Sequence, residues 1–428
     1  MLSRTPGSGR GWFGADARRL LALIAGQLCL HASMAGLRLA GPLWALQAGY
    51  GPWWVGVLLA LFAAAPIVTA LHAGRAADRH GYHRPLRISV ALVFAGGAAA
   101  VASTFAAGLG AHAGYAVLCL AAVLSGAGAN AGLIVIQRTA GRWAAVREGE
   151  GSAELMRVFS WLGLAPSLAN MLGSLVAGVL IDAAGYRVAF LALAGLTLAA
   201  LPCARRVPME RPTGGAAAGR PAAQSPLWRS AAELSRTPGL RRLLLVNWLM
   251  STSWDVHGFL VPILGHARGL SASAIGTILA VFAVAVSGVR VVIPMLAHRL
   301  RESQVLAASM LVVCGVFALY PFAEGAWTMG GCAVVLGLAL GMVQPMIMST
   351  LHQLTPAHRH GEAIALRSMA INLSSTLMPL GFGVLGSALG AGPLFWLMGA
   401  AVGAGSLSAR RLEVPATRSA EDTARRTR

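Results

Sequence analysis

The sequence predicts an all-α membrane protein of twelve transmembrane helices in two pseudo-symmetric six-helix bundles. Three observations predict it. Of the 428 residues, 56% are hydrophobic and only 11% charged, whereas a soluble domain carries about 25% charged residues. The mean hydropathy is +0.67, and the apolar residues come in long unbroken blocks, which excludes a soluble α/β protein with many short core strands. A spanning helix takes about 20 residues, so twelve would occupy roughly 240 of the 428 positions and leave short loops, two tails and one longer linker.

The first span, 20–47, follows a polar segment that runs through Arg19 and ends at the uncharged turn Gly49–Pro52. The second, 53–73, opens on Trp53 and Trp54 and closes on a loop holding Arg75, Arg79, Arg84 and Arg87. Spans 87–108 and 114–136 flank the neutral stretch Gly108–Gly114, and Arg138, Arg142 and Arg147 follow. Spans 157–181 and 187–203 complete the first half. Residues 204–240 are rich in Pro, Gly, Ala and Arg and read as a cytosolic linker. The second half places spans at 243–264, 272–296, 304–322, 327–350, 364–387 and 392–409, with Arg299, Arg301 and Arg359 on alternate loops. The domains are therefore 1–203, 204–240 and 241–428, each outer one carrying a tail.

All 34 basic residues are Arg, against 15 acidic ones, for a formal charge of +19. They sit between spans and in the tails, so the charge sets topology and does not point to nucleic acid; the Arg-rich loops and both termini are expected in the cytosol. Trp53, Trp54, Tyr115, Tyr186, Tyr320 and Trp327 then fall at the outer ends as interfacial anchors. The five cysteines are scattered singly, with neither disulfide nor metal spacing. No cofactor or metal is expected.

An internal repeat supports the halving. A shift of 220 aligns Pro42 with Pro262, Gly49 with Gly269, Gly56 with Gly276 and Arg79 with Arg299; a shift of 210 aligns Arg157 with Arg367 and Gly173 with Gly383. Gly337/Gly341 and Gly386/Gly390 have the spacing that lets helix backbones approach closely.

The segment Gly74-Arg75-Ala76-Ala77-Asp78-Arg79-His80-Gly81-Tyr82-His83-Arg84 resembles the G-x-x-x-D-R-x-G-x-[RK]-[RK] loop of the major facilitator superfamily, with His83 departing at one basic position. The resemblance covers nearly the whole chain, including a degenerate second copy at Pro294–Arg301, where His298 replaces the acid. It extends to Ala184–Phe190 and Thr355–Ala363. It implies two bundles around a central cavity, and a cytosolic latch at Gly74, Asp78, Arg79, Gly81 and Arg84. The drug/metabolite-type branch is the one resembled, with two departures. Ala122 stands where drug/proton antiporters carry Arg, ahead of Ser125–Gly128, and only Gly163–Pro166 and Gly173 remain of their fifth-span motif.

A charge at the bilayer centre costs about 2.5–3.5 kcal/mol on insertion scales, so charges inside spans are functional candidates. Gln27, His31 and Arg38 share one face of the first span, and Asn247, Ser251, Asp255 and Gly258 one face of the seventh. Asp255 is the lone acid well inside a span. In the resembled family spans one and seven face the cavity, which makes an Arg38–Asp255 pair the expected charge couple. Asn130 and Gln344 lie on the family's other cavity helices. Trp254 is placed to stack a planar or cationic substrate, and His31 and His257 have rings that change charge near neutral pH. Arg290, Arg157 and Arg367, near span ends, read as cytosolic-side charges.

No convergent acid, base, nucleophile or metal set lies at one depth, so an enzyme is not expected, and no repeated pore charges suggest a channel. The expectation is a monomeric secondary transporter of the inner (cytoplasmic) membrane, in contact with lipid, a small-molecule substrate and protons. It exports amphipathic compounds; the alternative is proton-coupled uptake of a small organic anion.

Overall fold

The computed structural model describes residues 15–106, 108, 112–146, 151–208, 238–296, 301–355 and 360–412. Most of the linker predicted at 204–240, together with His298, Arg299 and Arg359, lies outside the described residues. Among the described residues the regular structure is helical: α1 (Ala15–Gln47), α2 (Pro52–His80), α3 (His83–Ala106), α4 (Ala113–Val146), α5 (Gly151–Leu198), the short α6 (Ala200–Arg205), α7 (Pro238–Ala267), α8 (Ala272–Leu296), α9 (Glu302–Leu319), α10 (Ala326–Leu354), α11 (His360–Leu389) and α12 (Ala391–Arg410). A 3₁₀ turn at Tyr320–Phe322 extends α9.

Among the described residues, nine helices are long and apolar enough to cross a membrane. The span predicted at 157–181 falls on α5 and that at 187–203 on the end of α5 and on α6; α5 runs through Gly185 in a sharply non-helical conformation (φ 80, ψ 172). Helix α7 is not among the nine, because Asn247, Asp255 and His257 lower the hydropathy of its middle.

The chain clusters into two compact units, Met1–Trp44 with Leu61–Gly214, and Ala45–Ala60 with Gly215–Arg428. In the first, Leu23 and Leu30 of α1 join Ala77, Tyr82, Leu86, Val90, Val93, Val135 and Ile136 in one apolar core. Without a hydrophobic drive between helices in lipid, close packing depends on small residues. Gly126 faces the carbonyl of Phe62, and Gly173 faces that of Ala32. Any side chain at either position would collide with backbone. Ser125–Gly128, the segment resembling drug antiporters, is thus a packing surface.

In the second unit Gly337 and Gly341 of α10 lie on Phe282, Ala285 and Val286 of α8, as their spacing predicts. Gly386/Gly390 is a correction. Gly390 has φ 81 and forms the turn between α11 and α12, with nothing near its vacant Cβ position; Gly386 lies beside Leu394 and Pro52. Residues 45–60 cluster here because Gly56 sits against the Pro379 carbonyl and Gly383 against the Trp53 backbone.

The repeat is visible in the turns. Gly49 has φ 86 and Gly269 φ 70; each donates its N–H to the carbonyl three residues back, and the next residue donates to the one five back. Both helices therefore end in the same left-handed glycine cap, 220 residues apart. Gly390 (φ 81, ψ 175) in turn repeats the backbone of Gly185.

The predicted aromatic anchors divide. Trp53 and Trp327 are exposed, Trp327 at 94%. Tyr115 and Tyr320 are buried instead; the Tyr320 ring stacks on Phe395 at 4.6 Å and its hydroxyl donates to the Met329 carbonyl. A phenol that finds a carbonyl partner inside the bundle has no need of the interface.

Candidate functional site

On α7 the four-residue steps Asn247, Ser251, Asp255 form one face, flanked by Met250 and Trp254. That face lines a cavity of about 220 Å³ in the second unit. Helix α10 contributes Leu340, Val343 and Gln344, helix α11 contributes Ile371 and Ser375, and α8 contributes Arg290. Gly258, predicted on the same face, is exposed and does not line the cavity.

Helices α7 and α11 run in a constant register. Asn247 meets Arg367 and Asp255 meets Ser375, both pairs 120 residues apart, and between them Thr252 and Ser374 share a 2.9 Å hydroxyl contact. At one end of the cavity the Ser375 hydroxyl donates to Asp255, at 3.0 Å to Oδ2 and 3.3 Å to Oδ1. At the level of Asn247, Arg367 lies behind the cavity wall and donates through Nε to Asn247 Oδ1 at 2.9 Å and through its second terminal nitrogen to Gln344 Oε1. Eight residues, roughly 12 Å of helix, separate the two levels. The Trp254 and Phe282 rings pack edge-on, their centres 4.8 Å apart.

Arg367 and Arg290 correct the sequence expectation. Both were expected as cytosolic-side charges; Arg367 is only 8% exposed and engaged with α7 and α10, and Arg290 lines the cavity. A long side chain near a helix end reaches for water unless an acceptor is closer, and here two carboxamides are. Asn247 and Gln344 line this second-unit cavity, and each spends its oxygen on Arg367. The signal for Arg367 and Ser375 was in the sequence: Arg367, Ile371 and Ser375 repeat on α11 the four-residue steps of α7.

His257 is also placed differently from its expected relay position. It points away from the cavity, buried, its ring 4.3 Å from Phe282 and its Nδ1 3.5 Å from the Tyr320 hydroxyl. The other candidates belong to the first unit. Gln27 on α1 is fully buried, and neither of its amide atoms has a hydrogen-bond partner among the described residues. His31 and Arg38 follow on the same face, half-buried, and Asn130 of α4 is half-buried as well.

In the loop after α2, Gly81 has φ 68, and its N–H donates to the Ala77 carbonyl at 3.0 Å, ending the helix. Tyr82 then turns into the core, while Arg79 and Arg84 are exposed and Gly74 is half-buried. The side chains of Asp78 and Arg157 lie outside the described residues.

Two consecutive stretches, residues 23–242 and 243–427, match the sequence model of the Major Facilitator Superfamily. No curated protein matches the chain in sequence. Among solved structures it is similar to a D-xylose-proton symporter, with TM-score 0.70 and 14% identity over 93% of this chain and 98% of that one. It is similar also to the nucleoside transporter NupG, with TM-score 0.72 and 12% identity over 93% of this chain and 100% of that one. A POT family transporter in complex with a thioalcohol-conjugated peptide gives TM-score 0.69 and 12% identity over 91% and 94%. Identities this low establish a common fold.

Proposed function

The chain belongs to the Major Facilitator Superfamily, and from that premise we propose that it exports small amphipathic compounds in exchange for protons across the cytoplasmic membrane. Membership makes it a multi-pass transporter of a small molecule and not an enzyme. The observation that carries the finer reading is Asp255: a carboxylate on the wall of a cavity that also presents apolar Trp254, Met250, Leu340, Val343 and Ile371, polar Asn247, Ser251 and Gln344, and Arg290, with the Ser375 hydroxyl donating to it.

An ionised carboxylate inside a span is costly, and protonation removes the charge. Proton binding at Asp255 therefore biases which conformation the carrier holds, and a solute that meets the same wall shifts that balance. The apolar and aromatic surface suits the body of an amphipathic solute; Asn247, Ser251 and Gln344 suit its polar groups. Gln27, His31 and Arg38 on α1, with Asn130, are the first unit's contribution to handling substrate and proton. Asp78 and Arg79 serve as the cytosolic latch that the family resemblance implies, with both termini in the cytosol and the protein acting as a monomer.

Counterflow tests the reading. Purified protein in liposomes preloaded with unlabelled compound should transiently accumulate the labelled compound above equilibrium, and an imposed pH gradient should drive net movement opposite to the protons. Labelled compound that only equilibrates would exclude a carrier.

A further inference from the structure

Where α9 begins and α12 ends, the second unit has a groove of about 550 Å³, separate from the cavity beside Asp255. The two helices run antiparallel: Gly399 and Gly403 of α12 lie on Phe317 and Cys314 of α9, which brings the first turn of one to the last turn of the other. Arg301, immediately before α9, and Arg410, the last residue of α12, both line the groove. Both are exposed, and neither guanidinium has a hydrogen-bond or ion-pair partner among the described residues. Arg242 of α7 adds a further positive charge at this end, donating to the Arg411 carbonyl at 2.9 Å. The neighbouring acid is engaged elsewhere. Glu302 turns to α10, its Oε1 accepting from Ser349 and Gln353 at 3.0 Å each.

The polarity of the groove changes along α9. Ser303 and Gln304 stand in the first turn, where the N–H groups of a helix also favour a negative ligand. Ala308 and Leu311 follow on the same face, both exposed, with Leu311 about 10 Å beyond Gln304 along the helix. The stretch from Glu302 to Phe322 is long and apolar enough to cross a membrane. In a bilayer the two arginines therefore stand at headgroup depth and Leu311 in hydrocarbon.

We propose that this groove binds an anionic phospholipid, its phosphate between Arg301 and Arg410 and an acyl chain along Ala308 and Leu311. Guanidinium forks suit phosphate oxygens, and the apolar stripe below them suits a chain attached to that phosphate. A zwitterionic lipid would bring its own cation to a site that is already basic. The chain's own residues 413–428 are the other candidate to cover the groove. Their side chains include three acids, Glu413, Glu421 and Asp422, against Arg418, Arg425, Arg426 and Arg428, a balance of 3 to 4 that leaves them net positive and a poor partner for two arginines.

Thermal unfolding of the full-length protein in a neutral detergent tests this, with phosphatidylglycerol, phosphatidylcholine or inorganic phosphate added at equal concentration. Phosphatidylglycerol should raise the unfolding midpoint saturably, and the other two should not. Arg301→Gln together with Arg410→Gln should raise the half-saturating lipid concentration about tenfold, and Arg301→Lys together with Arg410→Lys should recover part of that loss. Arg205→Gln together with Arg206→Gln removes the same charge from exposed positions of the first unit and should leave half-saturation unchanged. All four arginines are exposed, so the substitutions leave the packed core intact. Equal stabilisation by phosphatidylcholine, the same shift from phosphate alone, or no shift from any of the three overturns the proposal. So does a pair at 301 and 410 that binds like the parent, or an equal loss in the pair at 205 and 206.

Discussion

Asp255→Asn should abolish pH-gradient-driven transport while counterflow of preloaded compound remains measurable. Asparagine keeps the size of the side chain and can still pair with Ser375, whose hydroxyl lies 3.0 Å from Oδ2. What it loses is the choice between charged and neutral forms. A carrier whose cavity is permanently neutral at this position still alternates, because the barrier that protonation normally removes is absent. It has no means of exchanging that step for the energy of a proton gradient. In proteoliposomes the variant's accumulation under an imposed gradient should fall to the level of protein-free vesicles, and its counterflow should become insensitive to pH. Wild-type-like response to the gradient would remove Asp255 from the coupling step.

The second large effect concerns stability. Asn247→Leu together with Gln344→Leu takes both described acceptors from a buried guanidinium, which costs about 3–5 kcal/mol, and the thermal midpoint should fall accordingly. Adding Arg367→Met to that pair should restore most of the loss, since replacing a whole buried polar set by apolar groups of similar volume is nearly neutral. A stable triple variant would assign the loss in the double variant to the buried charge left without acceptors. A double variant as stable as the parent would mean that Arg367 is hydrated in the folded protein.

Much of the bundle is legible in the sequence because hydropathy and glycine report depth along a span directly. The caps at Gly49 and Gly269 have the same backbone because the same turn is required twice, and the 220-residue shift anticipates them. The Asn247, Ser251, Asp255 face follows from helical periodicity alone. Rotation of one helix against its neighbours is not written in hydropathy. Arg367 and Arg290 sit near span ends, where an isolated helix would send them to phosphate; the register of α7 against α11 turns Arg367 inward. His257 is two residues from Asp255, about 200° around the helix, so the neighbour of a cavity residue points into the core with Tyr320 and Phe282. Tyr320 reads as an anchor from its position alone, and only the carbonyl of Met329 explains its burial.

The claim that the α7–α11 wall is a working transport cavity is tested most directly by thiol accessibility at Ser375. With the five native cysteines replaced by Ser and Ser375→Cys introduced, a membrane-impermeant maleimide should label the protein in vesicles. Reversing the pH gradient should change the labelling rate, and a transported compound should slow it. A Cys at 375 that stays unreactive from both faces of the membrane under every gradient would contradict the account, leaving Asp255 and Arg367 as static packing within a helical bundle.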